Sequence, residues 1–356
     1  MTIERLSLTA QTLHAELLER LVAHEARRAI GHAAGTFVRK TIRAREYVYF
    51  QHAAPGAGQR QVYLGPRSAA LDALEARFDQ EQPAVEQEEL ALRQLAGALR
   101  AAGGLAADAP TSRVLAALAD GGIFAGGAVL VGTVAFNVLG NLLGRRWRAA
   151  ALRTQDVDLS RPTRTDLDIA VTDAAGDVPA ILQSLDKGFL PIPSLDRKRP
   201  STSFSVRGKE LRVDLLAPGR TDERPVFVPR FGAAAQPLDG IGYLVARPER
   251  GVAVGPAPIL VNVPAPARFA LHKLFVSRSR PLGRQAKARK DLAQAAELIE
   301  ALSEDRPDDL VEAWREMTAH HPREAARARA AAKGLEAESP EAHRAFLALP
   351  AGGRGA

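Results

Sequence analysis

The chain has no cysteine, two methionines and two tryptophans, and aromatic residues make up 5% of its 356 positions. The lack of cysteine excludes disulfides, thiolate nucleophiles and zinc–thiolate centres, and leaves the compartment open. Lysine is scarce too. It occurs eight times among 48 basic residues, so the net charge of +7 is carried by arginine. That balance suits a polyanionic partner, but the arginines are scattered, which is the pattern of solvated faces. The first residues include Glu4 and Arg5 and form no continuous apolar segment, so no signal peptide is expected and the expected location is cytoplasmic. Long uncharged runs are also rare. The longest, residues 121–144, reads GGIFAGGAVLVGTVAFNVLGNLLG and is 24 residues long.

That run is long enough to cross a membrane. It also contains seven glycines, each costing a helix about 1 kcal/mol relative to alanine. Gly-Gly at two places is punctuation rather than helix interior. The expected structure is a helix ending at Gly121–Gly122, a short buried strand ending at Gly132–Thr133, and a helix beginning there. No membrane span is expected.

Three segments follow from the rest of the pattern. Residues 1–108 read as helix, β-hairpin and long helix. The hairpin joins YVYF to QVYLGP across AAPGAG, and the long helix over 68–102 is expected to break at Pro83. Residues 109–262 alternate short strands, helices and loops. They include a hairpin around Arg207–Gly208 and a strand in ILVNVP. Residues 263–356 are helical. The expected fold class is therefore α/β of the α+β kind: a small mixed sheet with an N-terminal helix–hairpin–helix module and a C-terminal helical bundle.

Three features stand in order inside the middle segment. Gly132–Thr133 lies where a strand meets a helix N-terminus, whose free N–H groups and positive dipole end suit phosphate. Asp156 and Asp158 are two residues apart, so on a strand they share a face and can jointly hold a hard cation. Asp214 sits inside the apolar run LRVDLLAP, where a carboxylate is costly unless it is paired or binds metal. Three converging carboxylates need divalent cations between them. Two such ions can clamp the attacking hydroxyl and the leaving pyrophosphate of an in-line displacement.

The series VGTVAF, TQDVDL and LRVDLL resembles the signature of the DNA polymerase β-like nucleotidyltransferase superfamily. With YVYF, RQVYLGP and VPAPARFALHKLFVSRSR, it resembles more closely a little-characterised bacterial family of that fold, over about residues 37–302. HKLFVSRSR followed by KARKDL is similar to bacterial nucleotidyltransferase toxins. The resemblance implies an enzyme that moves NMP from an NTP to a hydroxyl acceptor, which could be RNA such as tRNA, a protein or a small molecule. It implies Mg²⁺ or Mn²⁺, two ions, on Asp156, Asp158 and Asp214. It places the phosphates at Gly132 and Thr133, and Lys273 on the helix after the sheet, with Asp291 on the next helix and Arg280 between them. The alternative is an inactive protein of this fold that binds nucleic acid or a partner.

Three patterns leave choices open. Asp166 and Asp168 in RTDLDIAV form a second Asp-x-Asp. Asp156/Asp158 is preferred because it lies nearer Gly132–Thr133 and within TQDVDL. The N-terminal hairpin interleaves Tyr47, Tyr49, Phe50 and Tyr63 with Arg39, Lys40, Arg43, Arg45 and Arg60. Such a sheet can bind nucleic acid, or pack as a homodimer or domain contact with its aromatics as core, and packing is the preferred reading. A basic run through Arg278, Arg280, Arg284, Lys287, Arg289 and Lys290 reads as a solvated face or a polyphosphate contact.

Overall fold

The computed structural model describes residues 3–29, 35–54, 58–148, 156–160, 177–185, 189–193, 199–206, 211–280 and 285–350. In chain order these form β1 (Glu4–Arg5), α1 (Leu8–Ala29), β2 (Thr36–Ile42), β3 (Arg45–Ala54), β4 (Gly58–Pro66) and α2 (Ala69–Ala101). Next come α3 (Ala109–Asp120), β5 (Val129–Val131), α4 (Gly132–Leu142), β6 (Arg145–Arg146), β7 (Asp156–Ser160) and α5 (Val178–Gln183). The short elements β8 (Phe189–Pro191), β9 (Ser203–Val206), β10 (Arg212–Pro218), β11 (Val226–Val228), β12 (Ala233–Leu238) and α6 (Ile241–Leu244) follow. The hairpin β13 (Pro248–Ala253) and β14 (Ile259–Pro264) leads into α7 (Pro266–Ser279) and α8 (Gln285–Asp305). The chain closes with α9 (Pro307–His320), α10 (Pro322–Ala331), α11 (Leu335–Glu338) and α12 (Pro340–Leu347). The fold is mixed α and β, as the pattern of elements predicts.

The uncharged stretch resolves as turn, strand and helix. Residues 121–127 turn, β5 is wholly buried, and α4 starts at once from it. Gly132 has φ +75°, a backbone conformation that L side chains rarely adopt, so glycine is required where strand becomes helix. Gly140 serves close packing: a Cβ there would stand 2.7 Å from Trp147 Nε1 and 2.4 Å from a Leu105 methyl. The turn's carbonyls are not left orphaned. Asn262 Nδ2 donates to Phe124 O at 2.8 Å and to Ala128 O at 2.7 Å. Among the described residues no helix is long and apolar enough to cross a membrane.

The central sheet runs β11-β12-β10-β7-β5, with β9 and β8 joined at one flank of β10. β7 and β10 are parallel, whereas β5 is antiparallel to β7. β10 has β7 on one side. On the other side its first half pairs with β9 and its last residues pair with β12. One core runs from α3 through the sheet to the C-terminal helices, from Val114 to Phe346. A second, smaller core joins α1 and α2 to β13 through Leu17, Leu21, Leu92, Leu99 and Val252. Burying each of these leucines contributes about 1.5–3 kcal/mol. A forked ion pair from Arg20 to Glu88 crosses the same contact, at 2.7 and 3.0 Å.

The N-terminal module departs from expectation twice. It is a three-stranded antiparallel sheet, β2-β3-β4, not a two-stranded hairpin. The missed turn is Arg43–Ala44, with φ of 50° and 64°. It carries none of the Gly or Asn that marks such turns in sequence. Helix α2 also runs through Pro83 without ending. Pro83 lies on the exposed side, as does Asp79, whose carbonyl the missing N–H would have bonded, so solvent can satisfy it.

Candidate active site

The sheet brings the sequence-derived residues into one lateral row. Val131, the residue before Gly132, pairs with Asp158. Asp158 pairs with Asp214 on the next strand, and Asp214 pairs with Ser203 on the one after. Asp156 occupies the next alternate position of β7, opposite Arg212. Only the backbone of β7 is described, so the register places Asp156 and Asp158 without fixing their side chains. Asp166 and Asp168 lie outside the described residues. So does Arg284.

α4 opens this row without a side-chain cap. Its N-cap is Val131, in contrast to α2, α3 and α5, which Ser68, Asp108 and Asp177 cap. The first-turn N–H groups of α4 therefore keep their donors and the positive end of the helix dipole. Thr133, in that turn, is buried.

Asp214 is held by two groups that its own sequence pattern did not reveal. Ser203 Oγ donates to Asp214 Oδ1 at 2.5 Å, and Arg212 Nε donates to the same oxygen at 2.7 Å. Arg212 Nη2 also donates to Ser203 Oγ at 2.9 Å, closing a small network. Among the described residues, Asp214 Oδ2 accepts no hydrogen bond. The spacing Arg212-x-Asp214 on an alternating strand was a usable sign that the two share a face.

A second cluster lies on the helices behind the sheet. Lys273 Nζ donates to Asp291 Oδ1 at 2.8 Å, and Arg280 Nε donates to Asp291 Oδ2 at 2.9 Å. Asp291 is 2% exposed and Lys273 8%, so Lys273 does not snorkel to the surface. Burial alone would raise the Asp291 carboxyl; the Lys273 and Arg280 charges beside it hold it below the ordinary range. Lys273 Nζ stands 5.3 Å from the Phe269 ring centre, and Phe269 stacks on Phe136 of α4 at 6.2 Å. Phe136 is one helical turn past Thr133, so two ring contacts link Lys273 to the start of α4.

A cleft of about 590 Å³ lies elsewhere, lined by Arg220, Asp222, Asp239, Arg323 and Arg327 among others. It opens beyond the C-terminal end of β10, whereas Asp214 sits near the N-terminal end. Four strand residues, roughly 13 Å, separate the two. The cleft and the carboxylate row are therefore separate places on the fold. Among the residues whose side chains are described, no three His, Asp or Glu converge on a common point. Asp156 and Asp158 are not in that set.

His272, beside Lys273, is buried with Nδ1 unpartnered among the described residues, and His14 Nε2 is in the same condition. Burial pushes His272 down to about 3 and His14 down to about 4. The unfolded chain takes up these protons near pH 6.5 and the folded chain does not, so acid favours unfolding. Stability should be full above about pH 6.5 and fall by about 1.4 kcal/mol per pH unit for each histidine below it. Urea unfolding between about pH 7.5 and pH 5.5 checks this, with His14→Gln expected to remove about half the slope. A flat profile over that range would mean that the imidazoles protonate freely in the native state.

Residues 109–319 match the family model described as nucleotidyltransferase. The match starts at α3, ends within α9, and contains every candidate residue of the row and of the Lys273 cluster. No curated protein and no solved structure matched the chain.

Proposed function

We propose, for a chain that belongs to the nucleotidyltransferase family, that it transfers NMP from an NTP to a hydroxyl acceptor and does so with divalent cations. The observation that carries this reading is the row of Val131, Asp158 and Asp214 across three adjacent strands. It sets an uncapped helix N-terminus beside paired carboxylate positions.

The residues fit a hard cation. All three candidate ligands are carboxylates, two of them at paired positions, and Asp214 keeps one oxygen free while Ser203 and Arg212 orient the other. Asp156, Asp158 and Asp214 would hold two Mg²⁺ or Mn²⁺, which would neutralise charge on the phosphates and lower the pKa of the acceptor hydroxyl. The first-turn N–H groups after Gly132, with Thr133, bind phosphate oxygens. Asp214 lies at the acceptor's end of the row and helps to draw off its proton. Lys273 and Arg280 around Asp291 leave one net positive charge, which favours the pyrophosphate as it departs.

A second reading, an inactive protein of this fold that binds nucleic acid or a partner, is favoured by one observation. Arg212 occupies the Asp214 oxygen with an ion pair at 2.7 Å. In an active enzyme a cation takes the free oxygen of Asp214 beside this guanidinium, against its like charge. Incubation with each α-labelled NTP, Mg²⁺ and either total RNA or a lysate separates the two. Label transfer that Asp214→Asn removes supports the enzyme. No transfer from any NTP to any acceptor supports the binding module.

A further inference from the structure

The β2-β3-β4 sheet has one covered face and one open face. Phe37 and Phe50 meet Phe78 of α2 at 5.4 and 5.6 Å, and Arg39 bonds Glu75 and Asp72 of the same helix. Those residues mark the face that α2 covers. Strand alternation and register put Lys40, Arg45, Tyr47, Tyr49 and Tyr63 on the opposite face, with Gln51 and Gln61. Among the described residues, no element lies over it.

The open face is built as an aromatic platform with cations. Tyr63 stands 5.4 Å from Tyr49 and 6.2 Å from Tyr47, centre to centre, and is 54% exposed. Lys40 Nζ lies 4.8 Å over the Tyr49 ring. No carboxylate occupies this face. Glu46, the one acid of the three strands, falls on the covered side and pairs with Arg67. Among the described residues, neither Arg43 nor Arg45 pairs with a carboxylate. Arg43 also sits at φ 50° in the β2–β3 turn, where Asn or Gly would be at ease. The chain holds a guanidinium at the tip of the sheet at the expense of backbone strain.

We propose that this face binds single-stranded nucleic acid, with Tyr47, Tyr49 and Tyr63 stacking on unpaired bases and Lys40, Arg43 and Arg45 meeting the phosphates. Stacked tyrosines need exposed base faces, which a duplex does not offer along its length. A second copy of the chain is the poorer occupant, because face-to-face pairing would bring two like-charged sets together. The inference does not depend on transferase activity, since none of these residues belongs to the carboxylate row.

The test is fluorescence anisotropy of the full chain with labelled 20-mers of mixed sequence: single-stranded RNA, single-stranded DNA, and the duplex of each. Either single strand should bind, and the better of the two names the sugar. Raising salt from about 50 to about 200 mM should weaken binding roughly 20-fold if three phosphates are neutralised. Tyr63→Ser should weaken it about ten-fold or more. Arg43→Asn, which suits the turn and so keeps the fold, should weaken it and lower the salt dependence by the share of one phosphate. Unchanged binding in both variants, with unchanged melting, would overturn the proposal. So would binding to duplexes alone, or a dimer that Tyr63→Ser dissolves while nucleic-acid binding persists.

Discussion

Asp158→Asn should abolish nucleotidyl transfer while leaving the fold intact. Asp158 holds the middle of the row, between the residue that opens α4 and Asp214. Asparagine keeps the shape and removes the charge that would hold a cation and offset the like charge of Asp214. Loss of such a group typically costs about 3–4 kcal/mol of transition-state stabilisation, or a fall in kcat of roughly 10²- to 10³-fold. Stability should not fall, because removing one of two carboxylates at paired strand positions relieves repulsion in the cation-free protein. Asp168→Asn provides the contrast and should change activity little, with stability within about 0.5 kcal/mol of the parent. Rates of label transfer and thermal melts of both variants decide it. Inactivation by Asp168→Asn with an active Asp158→Asn would move the metal pair to Asp166 and Asp168.

What was legible in the sequence is what physical chemistry writes as contrast. Seven glycines in an uncharged run announce turns, and β5 and α4 appear where that punctuation puts them. A lone carboxylate in LRVDLL announces a strand position with a partner, and the structure supplies two, Ser203 on β9 and Arg212 on β10. Asn262 in ILVNVP carried the same kind of signal, an amide inside an apolar strand. Its partners, carbonyls more than a hundred residues away in the turn before β5, have no local trace.

What was not legible lacked such contrast. The Arg43–Ala44 turn uses residues that say nothing of left-handed backbone, so two strands read as one. β12 reads AAAQPL, too weak in β-branched residues to declare itself, and it is held by the parallel pairing of its last three residues with β10. β13 contains charges and begins with proline; its pairing with β14 defines it. The contact of Lys273 with Asp291 followed from resemblance alone, because residues 18 apart on two helices meet only after α7 and α8 pack.

That buried pair sets the other large effect. Asp291→Asn should destabilise the protein by about 3–5 kcal/mol, since it leaves the buried Lys273 and the half-buried Arg280 without their shared counter-charge. This is a large fraction of the usual total of about 5–15 kcal/mol. Lys273→Met should cost less, because Asp291 keeps Arg280 and the methionine stem fills the space against Phe269. The double variant Lys273→Met/Asp291→Asn should be less destabilised than the sum of the two single variants, the coupling expected of groups in contact. Because the Asp291 carboxyl is held low in the folded state, its contribution is present above the ordinary aspartate range and is lost only as pH falls through the depressed value. Catalysis separates structure from chemistry at this site. If Lys273 acts on the leaving pyrophosphate, Lys273→Met lowers kcat at least as much as it raises KM, in a protein that still melts near the parent temperature. Denaturant unfolding of the three variants and steady-state kinetics of Lys273→Met give both answers. A stable Lys273→Met with parental kcat would confine the lysine to holding α7 against α8.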